Sequence, residues 1–290
     1  MCHYGDMVDT EDVSAWASRV APRLRWWREV LVVGAVYLGY ELARGLVPQD
    51  VSLALSHGRT LLDIEQTLHL DPERWLNSAL AGSTVLSVVA AYYYAALHYL
   101  ITPVVLVWIY RTQAAQYRFA RTWIVASTAL GMVGYALLPT APPRLLGGGT
   151  GDGGFVDVLA SVHRYGWWGG EASVPRGLGG LADQFAAMPS LHVGWALWCG
   201  VLVARFARHR VVRLLGVAYP VGTSLVVMAT GNHYLLDVIG GAAVMGLGAL
   251  VAQALARRGP RRPSPVSVPV EATAAVTAPV SERESALTAA

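Results

Sequence analysis

Lysine does not occur in this chain; all 22 basic residues among its 290 are arginine. We read that as the coding habit of a GC-rich genome, without chemical meaning. Charge of either sign is scarce, at 14% of residues, and a net charge of +3 gives no footing for a nucleic-acid partner. Two cysteines, Cys2 and Cys199, cannot build a disulfide framework, so both are expected to be free thiols. The chain has no H-E-x-x-H motif and no cysteine cluster, so neither a metal nor a cofactor is expected. A cleavable leader is not expected either. The first 28 residues mix acidic and basic side chains, and the apolar run that follows reads as a retained anchor.

What is present in quantity is hydrocarbon: 54% of residues are hydrophobic, and mean hydropathy is +0.42. Six apolar runs, at 29–47, 83–109, 119–138, 189–206, 212–229 and 234–256, are each long enough to cross about 30 Å of lipid as a helix. They lack the dyad alternation of a membrane β-barrel. The expectation is an all-α polytopic membrane bundle of six transmembrane helices. Arginines cluster before the first run, between the second and third, between the fourth and fifth, and after the sixth. Basic clusters on alternate connections predict that both termini are cytoplasmic. Residues 1–28 then form a cytoplasmic segment, 29–256 the membrane domain, and 257–290 a cytoplasmic tail with the composition of disorder. Residues 50–82 fall outside. Leu61, Leu62, Ile64 and Leu68 alternate there with Asp63, Glu65 and Gln66, which predicts an outer helix lying in the interface.

Three polar clusters sit at outer helix ends in this topology. Arg144 follows the third run in LLPTAPPRLL, Ser190 and His192 open the fourth in AAMPSLHVGW, and His233 and Asp237 open the sixth in GNHYLLD. Each has a bland explanation. Arg144 would serve as an interfacial anchor, Ser190 as a helix cap, His192 as a packed ring, and His233–Asp237 as a structural pair one helical turn apart. Ionisable groups in lipid surroundings are costly and usually mark function, and three on one membrane side favour a site. The set suits phosphoryl transfer. A carboxylate can fix the tautomer of a nucleophilic imidazole, a second histidine can protonate a leaving alkoxide, and a guanidinium matches phosphate oxygens. His98, within YYYAALHYL, is expected to be buried, paired with a tyrosine or touching a headgroup. Arg164 and Arg176 are further candidate contacts from the outer loop.

PSLH together with H-x-x-x-D resembles the second and third signature motifs of the type 2 phosphatidic acid phosphatase superfamily. APPRLL, AAMPSLHVGWA and TGNHYLLDVIGG look most like its inositol phosphorylceramide synthase branch and the actinobacterial relatives of that branch. The likeness covers residues 80–256. It implies a metal-independent membrane enzyme that cleaves or transfers a phosphoryl or phosphodiester group through a phosphohistidine-type intermediate; with the arginine topology, a lipid phosphate or phospholipid would be met at the outer face of the cell membrane. By motif position His233 would be the nucleophile, Asp237 its partner and His192 the general acid, with Ser190 and Arg144 on the phosphate. The chain departs from the broader family at Leu191, where a glycine is usual, and at Val226 and Val227, where Ser-Arg is expected. The first-motif lysine is also missing. Hydrolysis and transfer both remain open, as does a non-catalytic lipid- or anion-binding or transport protein using the same cluster.

Overall fold

The computed structural model describes residues 27, 29, 31, 34, 35, 38, 39, 50–146, 154–168 and 184–258. Every regular element among them is helical. Asp50 caps α1 (Val51–Thr67), its carboxylate accepting from Leu53 N at 3.0 Å. Pro72 opens α2 (Pro72–Ala81), where its missing N–H costs nothing. Ser83 caps α3 (Thr84–Thr112), and Gln113 alone separates it from α4 (Ala114–Leu137). The one-turn α5 (Val158–Ser161) lies in the following loop. Then come α6 (Leu191–Phe206), α7 (Arg210–Ala229) and α8 (Leu235–Arg258).

Three helices, α3, α7 and α8, are long and apolar enough to cross a membrane. The shorter α6 is apolar over its 16 residues, and α4 runs for 24 residues with Arg118 and Arg121 in its first half. The second to sixth expected runs thus each coincide with a helix. The first falls mostly outside the described residues; Glu29, Leu31, Gly34, Ala35, Leu38 and Gly39 are helical, and Glu29 pairs with Arg121. The tail from residue 259 also lies outside them.

The bundle turns its hydrocarbon outward. Along α7, Val211, Leu214, Leu215, Val217 and Val221 are all exposed, the inverse of a helix facing water. Inside, the indole N–H groups find acceptors: Trp123 donates to Met245 O at 2.7 Å, Trp198 to Ala120 O at 3.0 Å, and Trp195 to Thr128 Oγ1 at 3.0 Å. In a medium without water each such donor must be satisfied within the protein.

Helices meet closely at small residues, as they must where lipid competes equally for apolar side chains. A Cβ at Gly241 would lie 2.2 Å from Ser190 O, a backbone atom at the start of α6. Gly241→Ala is therefore expected to destabilise the protein by about 1–3 kcal/mol, as overpacking generally does. Gly246→Ala on the same helix, with nothing within 4 Å, serves as the control. Thermal melts in detergent would separate the two; equal melting temperatures would contradict the close contact.

Residues 50–82 form two helices, and their polar side chains do not all face water. Glu65 and Glu73 are 1% and 0% exposed, whereas Ile64 and Leu68 lie on the surface.

Candidate functional site

Backbone hydrogen bonds join the three motif stretches directly. After α4 the chain forms an isolated parallel bridge, Thr140 with Ala186; Thr140 N donates to Phe185 O at 2.7 Å, and Ala187 N to Thr140 O at 3.3 Å. That ties the Arg144 segment to the one that starts α6. Arg144 N donates to Gly231 O at 2.9 Å, and Ser190 N to Asp237 O at 3.0 Å. The turn between α7 and α8 thereby meets both of the other segments. Gly231 makes this turn with φ +74°, a conformation that side chains rarely adopt, and a Cβ there would also press on Val156 O and Arg144 Cβ.

His233 is buried in that turn. Its Nδ1 lies 2.9 Å from Ala187 O and 3.3 Å from Asp237 Oδ2. Both neighbours are acceptors, so the Nδ1 position carries the proton and donates, and the lone pair of the neutral ring falls on Nε2. Asp237 Oδ2 also accepts from Tyr234 N at 2.9 Å, while its Oδ1 is buried without a partner among the described residues. The carboxylate thus serves two duties, closing the first turn of α8 and orienting the imidazole one turn away.

His192, in the first turn of α6, faces His233 with ring centroids 5.8 Å apart. It is sandwiched between Tyr94, stacked at 4.5 Å, and His98, edge-on at 4.4 Å. Its Nε2 is buried with no hydrogen-bond partner among the described residues. Such an orphan generally costs about 1–3 kcal/mol, and buried polar atoms left unpaired call for an explanation. Ser190 is the N-cap of α6, its Oγ accepting from Val193 N at 3.5 Å, which leaves its hydroxyl hydrogen able to donate. His98 is buried as expected, with Nδ1 3.2 Å from Tyr94 O.

Arg144 is no solvated anchor. It is 7% exposed, and its guanidinium is held on two sides: Nε donates to Asn232 Oδ1 at 2.9 Å, and Nη1 to Asp157 Oδ2 at 3.1 Å. Asn232 is itself fixed by donating to Thr230 Oγ1 at 3.0 Å. Arg164 turns away to Tyr165, donating to its hydroxyl at 2.7 Å, and Arg176 lies outside the described residues.

The sequence reading missed several of these partners. Asn232 stands directly before His233, and that adjacency was the available signal. Asp157 gave none, being one acidic residue in a glycine-rich loop. Asn77 is fully buried and clasps the loop to α7, donating to Val156 O and Ala229 O at 2.9 Å each and accepting from Val156 N at 2.7 Å. Among the described residues no three His, Cys, Asp or Glu side chains converge in a metal-holding set.

No curated protein and no solved structure matches the chain. The family model described as the PAP2 superfamily matches residues 59–251, which takes in α2 to α7, most of α1 and α8, and the whole His192, Arg144 and His233–Asp237 constellation. With that match spanning well over half of its length, the chain belongs to the PAP2 superfamily.

Proposed function

We propose that this protein is a membrane-embedded lipid-phosphate phosphatase or phosphotransferase with His233 as nucleophile. Family membership supports phosphatase-type chemistry on lipid phosphates. The observation that carries the mechanism is the His233 ring, with Nδ1 committed to Asp237 and Ala187 O and a second, unpartnered imidazole 5.8 Å away. His233 Nε2 attacks phosphorus, forming a P–N bond as the ester P–O bond breaks. His192 gives its proton to the departing alkoxide. Asp237 stabilises the positive charge that develops on the ring, as the acidic member of a triad does. Arg144 and the Ser190 hydroxyl hold the non-bridging oxygens. In the second half, His192 takes a proton from water or from an acceptor hydroxyl, whose oxygen displaces His233 from phosphorus. His98 backs His192 at the headgroup side, with Arg176 a further substrate contact. No step calls for a metal.

The reading extends to topology: six spans, both termini cytoplasmic, and the site opening at the outer face of the cell membrane. The alternate arginine clusters support it. Of the two described arginine candidates, Arg144 reaches the site, already ion-paired with Asp157, while Arg164 turns to Tyr165. A lean cradle suits the single negative charge of a phosphodiester better than a monoester dianion, which favours the inositol phosphorylceramide synthase-like, transferring branch. Purified protein incubated with lipid phosphate monoesters and phosphodiesters, with and without hydroxylated acceptors, tests this. The expected result is a transferred headgroup phosphate or released phosphate. Binding of these lipids with no turnover would contradict it and leave the non-catalytic reading standing.

A further inference from the structure

Helix α8 carries Asp237 in its first turn and begins two residues after His233, so its N-terminus sets the reacting couple. Helix starts need acceptors for their exposed amides. Asp237 reaches back to Tyr234 N, which is half of a capping box. Tyr234 cannot supply the other half, because its rigid ring carries the hydroxyl away from the helix start, where it donates to Ala141 O at 2.9 Å. The acceptor comes instead from another helix: Glu65 Oε1, on α1, takes the Leu236 amide at 2.6 Å. Glu65 is 1% exposed, its neighbour Glu73 on α2 is fully buried, and neither forms an ion pair among the described residues. Burying a carboxyl pair is costly, and a surface glutamate could not serve this amide.

We infer that Glu65 is a positioning residue for the proposed nucleophile, supplying across helices the missing cap of α8 and so holding His233 and Asp237 in register. This rests on the proposed role of His233. Two adjacent buried carboxyls cannot both ionise, so the pair retains a proton at neutral pH. Burial, then the Glu73 carboxyl, pushes Glu65 from 4.5 up to about 9; burial likewise raises Glu73. The other titratable groups facing the pair are Asp71 on α2, Asp237 on α8 and Tyr234 before it, and none supplies positive charge. A carboxyl whose affinity for its proton is raised by folding stabilises the fold fully below its ordinary value. That contribution is lost as pH rises through the folded value. Ionising the buried pair towards pH 9 therefore costs the fold stability, although the Leu236 amide itself favours the charged carboxylate.

Full-length Glu65→Ala, Glu65→Gln and wild type would be compared in detergent for kcat, KM, pH profile and amide hydrogen exchange over residues 231–240. Glu65→Ala is expected to lower kcat at least tenfold with KM within about twofold, and to speed exchange at Leu236 and its neighbours at least tenfold. Glu65→Gln, whose amide oxygen accepts the same bond without titrating, is expected to restore kcat at least tenfold over Glu65→Ala and to abolish the alkaline loss near pH 9. A folded Glu65→Ala with unchanged kcat and exchange overturns the inference, as does a Glu65→Gln that behaves like Glu65→Ala. Wild type inactive on every lipid phosphate overturns the proposed reaction instead, and the exchange comparison still judges the cap.

Discussion

His233→Ala is expected to lower turnover by about ten-thousandfold or more, the scale on which removing one member of a nucleophile–base–acid unit acts. The side chain forms the covalent bond, so no neighbour can substitute from its own position. The imidazole facing it, His192, has its centroid 5.8 Å away and is held by Tyr94 and His98. If His233 were only a packed histidine bonded to Ala187 O, the variant would lose stability and keep its rate. Melting the purified variant alongside the assay separates the two: a folded and inactive protein supports the nucleophile, and a folded and active one removes it. Residual activity at the level of His192→Ala would fit a unit whose members fail together.

Arg144→Lys is expected to cost about 100- to 1,000-fold in kcat/KM, the range seen when one donor to a developing oxyanion is lost, roughly 2.7–4 kcal/mol. The conservative change is the informative one. An interfacial anchor would tolerate lysine, since both residues carry the charge to the headgroup layer. The structure gives the arginine a narrower task. With Nε on Asn232 and Nη1 on Asp157, the planar fork is fixed in orientation, and a single ammonium on a flexible stem cannot reproduce both bonds and still face a phosphate. Lysine would also leave Asn232 Oδ1 or Asp157 Oδ2 short of a donor in a nearly buried setting. Wild-type kcat/KM in Arg144→Lys would return this residue to the anchor role.

The apolar runs disclosed most of the helices because lipid imposes a simple demand: each spanning segment must satisfy its own backbone. Helix α8 begins within a residue of the expected boundary, and the i, i+4 spacing of His233 and Asp237 made their contact legible. What the pattern could not express was which face of a polar helix turns inward. Glu65 sits among charges in α1 and looks solvated, yet an amide 171 positions away determines its burial. The Asp157–Arg144 pair was hidden for a different reason: a glycine-rich loop has no periodicity, so nothing local says where Asp157 will point. Ser190 shows the reverse, since its local role as a helix cap was readable while its availability to a phosphate depends on three segments meeting.

The central claim is covalent chemistry at one imidazole nitrogen, and it is tested most directly by trapping the intermediate. Wild-type protein turning over a labelled lipid phosphate would be quenched in alkali within milliseconds to seconds and digested. The peptides would then be read by mass spectrometry for a phosphorus adduct. The account predicts an acid-labile adduct on His233 that forms no slower than product and is missing from His233→Ala. Steady product formation with His233 unmodified at every time, or an adduct on another residue, would contradict it.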